Sequence, residues 1–465
     1  MPVTQMKISA EEHRQRCEKL LMHLHAEGLN GVVLFDRQYV LYYTGFAFIP
    51  TERPMAFVMN KRGERGMFVP RLELEHAQAN ALIDRVDHYL EYPYTAHPMI
   101  AFQKMLDEMG MQGPVGADED GYPWVFGYRG PKLSEMLNAP VRSVRPFVED
   151  AMMIKSPAEI RLIREACVWA NLGHVLLQRY TKVGATETEV SQRAGDEATR
   201  AMYDAIGPIY RGQSEYYGGV VAGYRGQIGR NAAIPHALAN NLTFQPGDVL
   251  VTGAAAPVWG YHSELERTMV MGKASDEQKF LFDHMVALQD TALDAIRPGV
   301  PCSEVDKIVR AYYEQHDLMP YWKHHVGHAI GLRYHEGPFL DLGDPTIIQP
   351  GMVFTVEPGL YSKGVGGFRH SDTVVVTEDG LESLTYYPRD LESLTLPGMK
   401  IDQRLVDAAV DLLKRRFPPG YGVAAASIPL TATCSRARCA SRSTAAADCA
   451  RRRARSCKRT RSPSR

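Results

Sequence analysis

Residues 247–268 read GDVLVTGAAAPVWGYHSELERT. The turn Pro246-Gly247-Asp248 starts an apolar strand, Val249 to Val251, after which Gly253 and small alanines bend the chain. It returns as a second strand ending in Glu264, Glu266, Arg267 and Thr268. Period-2 alternation sets Glu264 and Glu266 on one face, with Leu265 and Arg267 on the other. Two acids on one face are costly unless a cation lies between them. Taken alone, the run also fits an exposed edge strand with solvated charges.

Outward from it lie further charged strings. GHAIGLRYHEGP carries His328, Arg333 and His335, FTVEPGLY carries Glu357, and GGFRHSDTVVV carries His370 and Asp372. Upstream, NAAIPHALANN carries His236. In this order and spacing the strings resemble the pita-bread family, which includes creatinase, prolidase, aminopeptidase P and methionine aminopeptidase. The resemblance covers the C-terminal half. It implies an α+β architecture, with an N-terminal α/β domain of creatinase-like, ribonuclease-H-like type before a pita-bread catalytic domain. It also implies a C–N hydrolase and a homodimer. Arg53, in YYTGFAFIPTERP, falls where the family has an Arg that reaches into the second subunit toward a substrate carboxylate.

Metallopeptidases of this family hold two divalent ions with two Asp, one His and two Glu. Bridging carboxylates hold such ions about 3.5–4 Å apart and generate hydroxide at neutral pH. Along the resemblance those ligands fall on Gly253, Glu264, His328, Glu357 and Ser371, so one bridging and one terminal carboxylate are missing. A dinuclear site is not expected. The leading expectation is a site without a cofactor. The alternative is one divalent ion (Mn, Fe or Zn) on Glu264, His328 and Glu357.

The leading expectation follows the likeness to creatinase, which uses no metal and whose strand ends in a similar Leu-Glu-Arg-Thr. The resemblance gives His236 the role of proton shuttle and Glu266 and Glu357 the grip on a guanidinium or amidine. His328 would position substrate or water, and Arg53, Arg333, His335, His370 and Glu264 would line the substrate. A neutral imidazole can take a proton from water and return it to a leaving nitrogen, while carboxylates stabilise the cationic substrate. Two departures from creatinase stand out. RYHEGPFLD is peptidase-like, and FRHSD moves its histidine one place along, onto the other face of a strand. Creatine itself is therefore not the expected substrate. Three readings remain: a metal-independent hydrolase of a small carboxylate-bearing amidine, guanidino compound or amide; a metal-dependent Xaa-Pro dipeptidase or aminopeptidase with an incomplete site; and a non-catalytic module that binds peptides.

Composition sets the bounds. A chain of 465 residues with 45% apolar content is long enough for two cores. No apolar run approaches the ~18 residues of a membrane helix, and the start MPVTQMKISAEEHRQ is unlike a signal peptide. A cytoplasmic protein without a membrane partner is expected. Seven cysteines without a CxxC pair indicate reduced thiols rather than a disulfide framework. From Lys414 onward, 14 basic residues face one acid, a net +13, which leaves −14 for the body of a chain whose total is −1. The basic tail lacks aromatic interleaving, so nucleic acid is not an expected partner and disorder is.

In chain order, three segments are expected: residues 1–154, the N-terminal α/β domain; 155–412, the catalytic domain; and 413–465, the tail. Within the first, the pattern predicts a helix over 11–26, strands over 31–35 and 40–43, and a hairpin of 56–59 with 66–69. Lys155-Ser156-Pro157-Ala158-Glu159 is a capped helix start. Further helices are predicted over 186–202, from Ser275 (with Gln278 at the reciprocal capping position) to Ile296, and over 403–415.

Overall fold

The computed structural model describes residues 6–214 and 218–398, with Asp407, Asp411 and the backbone of Val423–Ala425 and Arg438–Ala440 beyond. The helix expected over 403–415 and the tail over 413–465 otherwise lie outside the described residues. The two distal backbone segments pair antiparallel.

Helix α1 (Ala10–Ala26) begins where Ser9 accepts a hydrogen bond from the Glu12 N–H. The first sheet is built from β1 (Gly31–Leu34), β2 (Ala56–Asn60), β3 (Arg65–Pro70), β4 (Arg85–Tyr89), β5 (Val115–Ala117) and β6 (Val141–Ser143), in the order β4-β3-β2-β1-β5-β6. The predicted hairpin is the antiparallel β2–β3 pair. Val33, Val58, Phe68 and Phe102 are fully buried in its core.

Residues 40–43 are not a strand. They lie in helix α2 (Arg37–Thr44), whose N-cap Asp36 accepts from the Gln38 and Tyr39 N–H groups and whose C-cap Gly45 sits at φ 72°. The run Val40-Leu41-Tyr42-Tyr43 has strand composition, but Tyr39 through Thr44 are all buried, so no polar face marks the helical period. The two caps decide the conformation.

The second sheet starts from the strands read first. These are β7 (Val221–Gly223), β8 (Val249–Val251), β9 (Gly253–Ala255), β10 (Leu265–Glu266) and β11 (Thr268–Met271). There follow β12 (Gly327–Ala329), β13 (Glu336–Leu340), β14 (Val353–Val356), β15 (Gly359–Ser362), β16 (Gly366–Arg369), β17 (Ser371–Thr377) and β18 (Gly380–Ser383). Eight of them form a sheet in the order β13-β12-β14-β17-β10-β9-β7, with β18 on β17. Strand β8 pairs with β11 in a separate three-stranded sheet, so the chain changes sheet at Thr252 and again at Arg267. Two helix pairs cover this half: Pro157–Tyr180 packs on Glu187–Ile206, and Asp276–Ala295 packs on Cys302–Gln315. Among the described residues no helix is long and apolar enough to cross a membrane.

The capping boxes read from sequence form as predicted. Ser156 Oγ accepts from Glu159 N–H at 3.2 Å while Glu159 Oε2 accepts from Ser156 N–H at 2.8 Å. Ser275 and Gln278 repeat the arrangement. Glu159 does more than cap, because its Oε1 accepts from Tyr261 Oη at 2.6 Å and lies 3.3 Å from buried Arg16 on α1. Ser156→Ala should therefore cost about 1 kcal/mol. Glu159→Ala should cost about 3 kcal/mol or more, since it strips one carboxylate partner from Arg16 and leaves Tyr261 Oη unpaired. Urea denaturation of both variants reads the difference, and equal losses would refute the second role.

Candidate metal centre

Four strands deliver the site. β10 lies antiparallel to β17 with Glu266 opposite Ser371, β17 pairs with β14 so that Val356 faces Asp372, and β12 pairs with β14 through Ala329 and Phe354. Glu264 just before β10, His328 on β12, Glu357 just after β14 and Ser371 at the start of β17 are thereby gathered. Donor atoms of Glu264, His328 and Glu357 all lie within 4.8 Å of one another.

The tautomer of His328 follows from its contacts. Nδ1 is 3.0 Å from the Ala329 carbonyl oxygen, so it carries the proton and donates there. That leaves Nε2 as a lone pair 3.2 Å from Glu357 Oε1, buried and without an aligned hydrogen-bond partner. A lone pair facing a carboxylate repels it unless a cation, a proton or a metal ion, sits between them. The charges agree. Burial, then the Glu357 and Glu266 carboxylates, pushes the Glu264 carboxyl up. For His328, the adjacent Glu357 and Glu264 outweigh burial and raise the imidazole above its ordinary value. Glu357 is held well below the usual carboxylate range, because His328 and the charge of Arg369 outweigh its burial. One oxygen of Glu264 accepts from Ser371 Oγ at 2.7 Å. Two carboxylates and a fixed imidazole nitrogen are a donor set that fits one divalent ion.

Beside this triad the chain supplies its own cation. Arg369 Nε donates to Glu266 Oε2 and lies 3.6 Å from Glu357 Oε2, and its guanidinium also donates to Tyr361 Oη at 3.2 Å. Arg225 closes the other side of Glu266 at 2.9 Å. A Cβ added to Gly253 would stand 3.6 Å from Glu266 Oε1, so the Glu266 carboxylate faces the bare backbone of β9. The guanidinium expected between Glu266 and Glu357 is thus that of Arg369 and not of a substrate.

The remaining expected residues divide. His335 stacks on His328 with ring centroids 3.8 Å apart and planes 17° apart; it is exposed, and His328 and His236 both bear on its charge. His236 is itself exposed. Arg333 ion-pairs with Asp36 at 2.7 Å and lies 4.7 Å over the Tyr39 ring. Arg53 pairs with Glu91, two residues past β4, and with Glu52, ahead of β2, and with no member of the triad. The expectation that His370 lines substrate is corrected. It is fully buried behind the sheet, where Nδ1 accepts from Thr268 N–H at 3.1 Å and Nε2 faces the Arg389 carbonyl oxygen at 3.1 Å. Alternation along Arg369-His370-Ser371 turns Arg369 and Ser371 to the site and His370 away. The same alternation could have revealed Arg369, which sequence reasoning missed along with His324, 2.7 Å from Tyr361 Oη. Cys17, Cys167 and Cys302 are buried free thiols.

Comparison with known proteins gives two family matches. Residues 161–378 match the metallopeptidase family M24, and residues 16–138 match the creatinase/prolidase N-terminal domain. A curated relative, the Xaa-Pro dipeptidase of Pyrococcus horikoshii, is 26% identical over 384 residues, spanning 81% of this chain and 98% of the relative. The solved prolidase from Pyrococcus horikoshii superposes with a TM-score of 0.68 at 25% identity, over 81% of this chain and 99% of that one. A solved prolidase from Thermococcus sibiricus shares the fold, with a TM-score of 0.71 at 24% identity over 83% and 99% of the two chains. These findings overturn the expectation of a site without a cofactor. The C-terminal half matches a metallopeptidase family, and His328 Nε2 faces the carboxylates as a ligand would. The leading expectation of a metal-independent amidine hydrolase falls with it. Both halves match in chain order, and the strings that first suggested the fold lie on the strands that build its centre: the chain belongs to the pita-bread family of C–N hydrolases that includes prolidase, aminopeptidase P and creatinase.

Proposed function

We propose that this protein is a metal-dependent Xaa-Pro dipeptidase that holds a single divalent ion on Glu264, His328 and Glu357. The observation that carries the reading is the cluster itself: His328 Nε2, buried and without an aligned hydrogen bond, lies with carboxylate oxygens of Glu264 and Glu357 so that all three donors are within 4.8 Å of one another. Such an ion, when bound, supplies Lewis acidity toward the scissile carbonyl and toward water. The chain's own residues do the rest. Ser371 engages one oxygen of Glu264, and Ala329 fixes the ring of His328. Arg369 neutralises Glu266 and Glu357, where a second ion would otherwise be needed to balance their charge. His335, exposed and stacked on the His328 ring, is placed to pass a proton to a departing nitrogen, with exposed His236 exchanging it with solvent.

The test is metal content after loading with Mn and gel filtration, paired with release of proline from Ala-Pro. About one ion per chain and hydrolysis abolished by chelator are expected. Two ions, or hydrolysis indifferent to chelator, would overturn the reading. A role for Arg53 at this centre requires a second copy of the chain to deliver it, so a monomer in gel filtration at assay concentration excludes that role.

A further inference from the structure

Lys155 stands just before the Ser156 cap, and its side chain enters a buried ion pair that the chemistry above does not use. Lys155 Nζ donates to Glu336 Oε2 at 2.9 Å, with the two side chains 1% and 7% exposed. Backbone holds both ends. The Lys155 N–H donates to the Gly351 carbonyl oxygen at 2.9 Å, and Glu336 Oε1 accepts from the Arg333 N–H at 3.0 Å. A Cβ on Gly331 would meet the two Glu336 oxygens at 2.7 and 2.9 Å and Lys155 Cε at 3.0 Å. The carboxylate and the ammonium stem therefore lie against bare backbone at Gly331.

Residues 331–335 are thus wound around one carboxylate. The Gly331 N–H donates to the Arg333 carbonyl oxygen at 3.1 Å, and the Gly331 carbonyl oxygen accepts from the His262 N–H at 2.8 Å. Glu336 lies opposite Ala329, where the register of β12 and β13 shifts just after His328. The segment ends in His335, whose ring stacks on that of His328. Arg333 also pairs with Asp36, but that pair is about a quarter exposed on each side and holds the segment less firmly. A buried ion pair adds little net stability, because desolvation offsets its attraction, yet it fixes the geometry of whatever it joins.

We propose that Lys155 and Glu336 are positioning residues for His335: the buried pair sets the segment that holds the His335 ring over His328. The inference deepens the dipeptidase reading and rests on the proton-passing role given there to His335. Neither residue is one of the three donors at the centre, so the pair acts on the ring and not on the ion. Without the ammonium, Glu336 turns toward water and the segment loosens. A ring displaced by about 1 Å costs about a hundredfold in rate.

Lys155→Met removes the ammonium but strands a buried carboxylate, so Lys155→Met with Glu336→Gln is made beside it. Glutamine keeps an acceptor for the Arg333 N–H, and no charge is then left unpaired. Both variants, as full Mn-loaded chains, should keep the ion and the KM for Ala-Pro and lose kcat by about a hundredfold. In a His335→Gln background the paired substitution should cost no further kcat, because the group it positions is gone. Equal losses in both backgrounds would mark a merely structural pair and overturn the proposal, as would full kcat in both variants. A second readout needs no turnover. In Zn-loaded protein carrying isotope-labelled histidine, the His335 Cε1–H resonance, identified by its absence in His335→Gln, should move downfield in the paired substitution as the ring leaves its stack. An unmoved resonance overturns the positioning. A moved resonance in a chain that leaves Ala-Pro intact supports the positioning and refutes only the reaction.

Discussion

If the proposed centre holds one divalent ion, His328→Ala should leave the purified protein without it and lower kcat/KM for Ala-Pro by about a thousand-fold or more. The size of the effect follows from geometry. His328 supplies the only nitrogen of the three-donor group, its ring is fixed through Ala329, and it is 1% exposed. With it gone, Glu264 and Glu357 face each other across a gap with Arg369 as the nearest balancing charge. Glu357→Gln keeps the volume but removes one anionic ligand, and it should lose the ion as well. His335→Gln should retain the ion and lose turnover, because His335 stacks on the ligand without being one of the three donors. Elemental analysis beside steady-state kinetics separates these outcomes. Full metal content in His328→Ala would sink the assignment of the centre.

Asp372→Ala should destabilise the protein by about 3–5 kcal/mol, the cost of stranding a buried charge. Arg267 is 1% exposed and donates to Asp372 Oδ1 at 2.8 Å, and to the carbonyl oxygens of Glu266, Ser371, Tyr387 and Pro388. Asp372 in turn accepts from Thr385 Oγ1 at 2.6 Å and from Gln289 Nε2 at 3.0 Å. This network lies on the back of the same strands that present Glu266 and Ser371, so its loss should also weaken metal binding. Replacing both charges, as Arg267→Met with Asp372→Leu, should recover much of the stability, since no charge is then left unpaired. Arg164→Ala is the contrast. Its pair with Glu382 is about 40% exposed on each side, and its loss should stay within about 0.5 kcal/mol. Urea denaturation of the four proteins checks the order, and a mild loss in Asp372→Ala would refute the network.

Local signals were legible wherever a few neighbouring residues decide the outcome. The capping boxes at Ser156 and Ser275 hold their own helix starts through bonds three residues apart, so their letters suffice. Val249–Val251 is a strand because a turn and an apolar run leave little else. The same reasoning failed at residues 40–43, where the caps Asp36 and Gly45 outweighed a strand-like composition. The order of charged strings carried a family resemblance, and that resemblance grouped Glu264, His328 and Glu357 as the alternative to a site without metal; the proximity of their donor atoms came only with the fold.

The family, and with it the three candidate ligands, was therefore legible in the sequence itself. What lies between the acids was decided only by tertiary structure. Pairing of β10 with β17 brings Glu266 opposite Ser371 across more than a hundred residues of chain, and it swings Arg369 into the place reserved for a substrate cation and His370 out of it. Composition cannot show this, because a long guanidinium takes whichever carboxylate the strand register brings within reach, and burial then makes that pairing obligatory.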